Sequence, residues 1–208
     1  MLASAPNTVL PMPAMVPLPV ARPAEEPRLP SPAERLGLAG KELARAEKCL
    51  ANAIYFESRG EPVRGQMAVA QVVLNRVFSP FYPKDVCSVV YQNAHRHLAC
   101  QFTFACDGKR KVINERANWV RATRIAKQTL DGRLWIPEVG KSTHYHAAYV
   151  HPNWVHEMKR LFRYGVHLFY RPYNWGDGSD EPMWGPIKKP TEVAAKAGAT
   201  GKTASSAR

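Results

Sequence analysis

Ala53-Ile-Tyr-Phe-Glu57-Ser-Arg-Gly-Glu61-Pro-Val-Arg-Gly65-Gln66 is the stretch whose reading decides the fold. Ile54, Ala53, Leu50, Ala46 and Leu43 lie three, four, seven, eleven and fourteen residues before Glu57. That spacing is the stripe of a core-facing helix, so a helix is expected over residues 41–58 with Glu57 on its inward side. Pro62 cannot continue the helix and Gly60 weakens its end. A carboxyl group withdrawn from water favours its protonated form. An acid that keeps its proton near neutral pH is what a general acid requires. The competing expectation is a structural Glu57 paired with Arg59 or Arg64, which would hold its pKa low. Glu61 falls on the turn, where it is expected to accept backbone N–H groups.

A second helix is expected from Arg64 to Phe78, with Met67, Ala70, Val73, Leu74 and Val77 inward and Gln71, Asn75 and Arg76 on a polar face. Asp85 should cap a short helix that runs to Gln92. Residues 93–113 read as a long loop, of the kind that is functional or stapled. A third long helix is expected from Asn114 to Leu130, with Asn114 as cap and Gly132 as stop. Its stripe is Trp119, Ala122, Thr123, Ala126 and Leu130. Residues 142–150 and 165–171 favour strands, and a short helix near Asn153–Phe162 separates them. The class is therefore α+β: a mostly helical domain with a small antiparallel β-sheet. Residues 1–40 read as a disordered Pro-rich tether, 41–176 as the domain and 177–208 as a disordered basic tail.

The formal charge is +12, while residues 1–40 are balanced and 177–208 carry only one net positive charge. Nearly all of the excess falls on the domain, which suits an anionic polymer partner. No helix-turn-helix or ribonucleoprotein pattern accompanies it, so nucleic acid is not the expected partner. Cys49, Cys87, Cys100 and Cys106 all fall within the domain. An even count there fits two disulfides in an oxidising compartment, with three pairings open. The apolar run from Val9 to Val20 contains four prolines, too many for a membrane-spanning helix. It also lacks a basic start, so no export signal is visible. The tether is expected to connect to a membrane anchor upstream, and the chain to act as a monomer.

Three groups of residues carry candidate chemistry. Glu57 is the candidate catalytic acid. Gln101, Phe104 and Asp107, in the Cys100–Gly108 loop, combine an amide, an aromatic face and a carboxylate, as a sugar-binding cleft does. His144, Tyr145 and His146 are expected to line the same cleft through hydrogen bonds. His144 and His146 with a third histidine also suggest a zinc site, as in a metal-dependent amidase. The H-E-x-x-H spacing is absent, and no metal or other cofactor is expected.

Ala53-Ile-Tyr-Phe-Glu-Ser-Arg-Gly-Glu61, Gly65-Gln66, Val73-Leu-Asn-Arg76, Asp85-Val-Cys-Ser-Val-Val-Tyr-Gln92, Cys100-Gln-Phe-Thr-Phe-Ala-Cys-Asp-Gly108, Thr143-His-Tyr-His-Ala147 and Gly165-Val-His-Leu-Phe-Tyr170 occur in this order. Together they resemble the cell-wall hydrolase family typified by the spore cortex-lytic enzyme SleB, over about residues 49–171. The resemblance implies a lysozyme-like domain that acts on peptidoglycan glycan strands, while the four cysteines point to the periplasm or cell envelope rather than a spore cortex. It implies that Glu57 is the catalytic acid, with Ser58 and Gln66 beside it at the substrate. It further implies cleavage of the MurNAc–GlcNAc β-1,4 bond, by lytic transglycosylation or by hydrolysis. The alternatives are a metal-dependent amidase or peptidase using His144 and His146, and a wall-binding module without turnover.

Overall fold

The computed structural model describes residues 30–97, 100 and 102–173. The expected tail at 177–208 and most of the expected tether lie outside that range. The described end of the tether is a correction: Pro32–Arg35 forms a short helix, α1. Ser31 and Glu34 complete a capping box at its start, and Ala33 is buried in the core. Reciprocal capping lets so short a helix form where proline content alone suggests a spacer.

Helix α2 spans Gly40–Ser58 and buries Ala46, Leu50, Ala53 and Ile54, the stripe read from the sequence. Helix α3 spans Val63–Phe78. Its expected polar face is a second correction, because Gln71, Asn75 and Arg76 are at most 2% exposed. These side chains satisfy the backbone of the segment between the last helix and the sheet. The Gln71 amide donates to the carbonyls of Ile136 and Gly140 and accepts from the Ile136 N–H. Asn75 donates to Gly140 and Ser142, and Arg76 Nε donates to the Thr143 carbonyl at 2.6 Å. Polar groups in the core thus replace the water that an irregular segment otherwise needs. Helix α4, Val86–Val90, is capped by Asp85, whose carboxylate accepts the Ser88 N–H at 2.7 Å.

Helix α5 covers Arg116–Leu130, with Glu115 rather than Asn114 at its N-cap. It buries Ala122, Ile125, Ala126, Thr129 and Leu130, while Thr123 is exposed. Thr129 can enter the core because its hydroxyl donates to the Ile125 carbonyl.

The sheet has three antiparallel strands in the order β1-β3-β2: β1 is His144–Ala147, β2 is Met158–Tyr164 and β3 is His167–Pro172. The expected helix at 153–162 is therefore corrected to a 3-10 turn at Asn153–Glu157 followed by a strand. In β2 only Met158, Leu161 and Tyr164 are partly buried. That period of three imitates a helix, and it arises from an irregularity in pairing between Arg160 and Phe162.

Two bridges staple the domain, Cys49–Cys87 and Cys100–Cys106. The first ties α2 to α4. The second closes the loop that carries Phe102 and Phe104.

Gly165, at φ +52°, makes the turn between β2 and β3, and the Glu61 carboxylate accepts the next N–H, of Val166, at 3.2 Å. A Cβ on Gly165 would lie 1.8 Å from Glu61 Oε2. Gly165→Ala should thus lose about 1–3 kcal/mol of stability, through backbone strain and expulsion of the Glu61 carboxylate. Urea unfolding checks this, and an unchanged midpoint would sink the argument.

Candidate active site

Glu57 stands on the last turn of α2, and the turn behind it is tightly held. The Ser58 hydroxyl donates to the Ile54 carbonyl at 2.8 Å, and the Glu61 N–H donates to the Ser58 carbonyl. Gln66, fully buried, donates from Nε2 to the Glu61 carbonyl at 2.9 Å. Ser58 and Gln66, both buried, therefore brace the turn that aims Glu57.

The expected competitors for Glu57 are engaged elsewhere. Arg59 pairs with Glu115 at 2.7 Å, and Arg64 pairs with Glu138 and donates to the Tyr164 hydroxyl. The structural pairing of Glu57 with Arg59 or Arg64 is thereby overturned.

Glu57 is mostly buried, and its one side-chain hydrogen bond found among the described residues is a long contact, 3.4 Å, from the Tyr145 hydroxyl. Burial pushes its carboxyl above the ordinary glutamate range. The Phe104 backbone and the Tyr145 hydroxyl pull it part of the way back, and the negative charge of Asp107 pushes it up again. Burial and the neighbouring Glu57 hold the Tyr145 phenol far above its ordinary range, so it stays a neutral donor. The Tyr145 ring packs at 5.0 Å from His167 and 5.7 Å from Phe169.

This shift makes a stability prediction. The folded chain holds the Glu57 proton more tightly than the unfolded chain does. Stability from this group is fully present below the unfolded pKa of about 4.5 and is lost as pH rises through the higher folded value. Glu57→Gln should therefore melt above wild type at pH 7, and the gap should close near pH 4. Melting curves at the two pH values test it; a variant less stable than wild type at pH 7 would contradict the burial argument.

A cleft of about 530 Å³ starts at Phe56, the residue before Glu57, and Glu57 itself is not among its described lining residues. Lys48, Asn52 and Phe56 line it from successive turns of α2, and Tyr91, Phe104 and Asp107 line it opposite. Phe56 and Phe104 stack at 5.2 Å, and Asn52 donates to the Tyr91 hydroxyl. Phe104 relates the two features: its ring lines the cleft, and its backbone is one of the groups that lower the Glu57 pKa. The sequence reading missed Lys48, Asn52 and Phe56. Their four-residue spacing on the polar side of α2 was the available signal.

Asp107, expected from the sequence to line a sugar-binding cleft, is a cleft residue engaged in its own loop. It pairs with Lys111 and accepts the Lys109 N–H at 2.9 Å. Those contacts, the Lys111 bond foremost, hold its carboxyl below the ordinary range. Gln101 lies outside the described residues.

The strand separates the three residues expected together. Tyr145 points to Glu57, while His144 and His146, one position to either side, face the opposite side of β1. There they pack against Trp154, at 5.2 and 5.6 Å. His146 Nε2 meets the Tyr170 hydroxyl at 3.0 Å, and Nδ1 meets the Ala147 carbonyl. His144 is held down to about 4, by burial first and the Arg76 charge second, so it is neutral at physiological pH. Among the described residues, no three His, Cys, Asp or Glu side chains converge as a metal site would need.

The described residues form a mostly helical α+β domain with a mostly buried carboxyl, Glu57, next in sequence to an aromatic residue of the cleft. The sequence profile of the family described as Cell Wall Hydrolase matches residues 60–170, and the chain belongs to that family. Glu57 stands just before the matched span.

The spore cortex-lytic enzyme of Halalkalibacterium halodurans is 31% identical over 120 residues, which cover 58% of this chain and 33% of that protein. That of Bacillus subtilis is 30% identical over 122 residues, covering 59% and 36%. The chain thus spans about a third of the length of these curated relatives. The solved catalytic domain of the Bacillus cereus SleB protein is 31% identical, with a TM-score of 0.49, over 62% of this chain and 91% of that one. The two disulfides are of the kind that an oxidising compartment permits. No helix among the described residues is long and apolar enough to cross a membrane.

Proposed function

We propose that this cell-wall hydrolase is a peptidoglycan glycosidase that cuts the MurNAc–GlcNAc β-1,4 bond, with Glu57 as general acid and then general base. The observation that carries this reading is the burial of Glu57, next in sequence to the cleft residue Phe56, without a cationic partner among the described residues. Protonated Glu57 gives its proton to the glycosidic oxygen as the bond from the anomeric carbon breaks. The Glu57 carboxylate then takes the proton of the sugar's own 6-hydroxyl, and that oxygen bonds to the anomeric carbon. The product is a 1,6-anhydro end, and no water is consumed.

A hydrolytic route usually needs a second carboxylate flanking the bond, about 5–9.5 Å from the first. Asp107 is bound to Lys111 and to the Lys109 N–H, which favours the route that needs no second carboxylate. Tyr145 would steady the Glu57 carboxylate between the two steps, and Phe56 and Phe104 would meet sugar ring faces. The periplasm is the compartment we assign, and a monomer the working state. The amidase reading lacks support in the geometry, because both nitrogens of His146 are already engaged.

Mass spectrometry of products from purified peptidoglycan tests the reading. Anhydro-muramic ends are expected. Reducing muramic ends would replace transglycosylation by hydrolysis, and released stem peptides would replace the glycosidase reading by an amidase.

A further inference from the structure

The cleft that starts at Phe56 carries more positive charge than a neutral sugar chain calls for. Lys48 enters it from α2, and Lys109 and Lys111 enter from the segment after the second disulfide. Asp107 is the one carboxylate among the described lining residues, so three cations face one anion. Lys111 is committed to Asp107. The ammonium groups of Lys48 and Lys109 have no hydrogen bond or ion pair among the described residues, and both side chains are exposed at the rim. The stacked pair Phe56 and Phe104, 5.2 Å apart, lines the same cleft. Aromatic faces take sugar rings, which need no charge. Two unspent cations at the edge of an aromatic floor match a glycan that carries anionic groups beside its rings.

Every muramic acid residue supplies such a group. The lactyl carboxylate is free on a stripped strand, and the stem peptide adds carboxylates of its own on an intact strand. We propose that Lys48 and Lys109 select glycan whose muramic residues bear carboxylate substituents over neutral β-1,4 glycan. This inference rests on the glycosidase reading and names the substrate feature recognised by the same cleft. The contacts are solvated, so each contributes modestly and is screened by salt.

Binding by the full chain in its Glu57→Gln form, which should leave the probes uncut, tests this with three probes. They are peptide-bearing glycan strands, amidase-stripped strands that keep lactyl carboxylates, and chitin oligosaccharides. Adding Lys48→Gln and Lys109→Gln together should weaken strand binding by roughly fivefold at low salt and leave chitin binding unchanged. Raising salt from about 50 mM to about 500 mM should erase the difference. A matched removal of two exposed lysines elsewhere, Lys127→Gln with Lys159→Gln, should have no such effect. A loss on peptide-bearing strands alone assigns the carboxylates to the stem peptide, and a loss on both kinds of strand shows that the lactyl group suffices.

Equal affinity for chitin and strands, or an equal loss in the matched control, overturns lysine selection. If wild type still yields anhydro ends in that case, the glycosidase reading stands without it. A chain that neither binds nor cuts any strand overturns both.

Discussion

Glu57→Gln is expected to reduce turnover of purified peptidoglycan by about 10²–10⁴-fold, the range of a positioned general acid–base. The amide keeps the shape and the neutral charge of the protonated acid. It cannot donate the proton that the leaving oxygen needs, or accept one from the 6-hydroxyl. Strand binding should survive, so the loss should fall on kcat rather than KM. The wild-type rate should fall on the alkaline side, as Glu57 loses its proton. Because burial raises the Glu57 pKa, that limb should lie above the ordinary glutamate range. Dye release from labelled peptidoglycan across pH measures both effects. Activity within a few-fold of wild type would sink the Glu57 mechanism. Asp107→Asn serves as the contrast. Asp107 is held as a carboxylate by Lys111 and the Lys109 N–H, so its loss should cost far less than that of Glu57.

The second large effect concerns the Cys49–Cys87 bridge, which spans a sequence separation of 38. A closed loop of that length restricts the unfolded chain, and the chain-entropy estimate is about 3–4 kcal/mol. Cys49→Ala with Cys87→Ala should lower the melting temperature by roughly 10 °C. The Cys100–Cys106 bridge spans only six residues and should contribute about 2 kcal/mol to global stability. Its effect on function should be the larger of the two, because the loop it closes carries Phe104. The Phe104 ring lines the cleft and stacks on Phe56. Paired melting and turnover measurements on the two double variants separate the roles. Identical ratios of lost stability to lost activity would contradict this division.

The helical half of the protein was largely legible in its sequence. A helix stripe repeats locally, so Leu50, Ile54, Val73 and Leu74 announce their own burial. The polar side of α3 was not legible in this way. Gln71, Asn75 and Arg76 have the spacing of a solvated face, yet a distant segment covers them and uses their hydrogen bonds. Strand β2 was misread because its pairing irregularity gives a period of three.

By itself, the sequence determined that Glu57 faces inward at the end of a helix that stops within a few residues, since periodicity and proline act locally. It also placed Phe104 and Asp107 on one long loop, residues 93–113, with the pairing of its cysteines open. Only the tertiary structure decided which neighbours meet Glu57. Arg59 and Arg64 lie next to it in sequence and turn away to Glu115 and Glu138. Tyr145 is far away in sequence and approaches it, while His144 and His146 are carried to the other face. The reason is that the pKa of a carboxyl depends on which groups surround it in space, and a strand sends adjacent side chains to opposite faces.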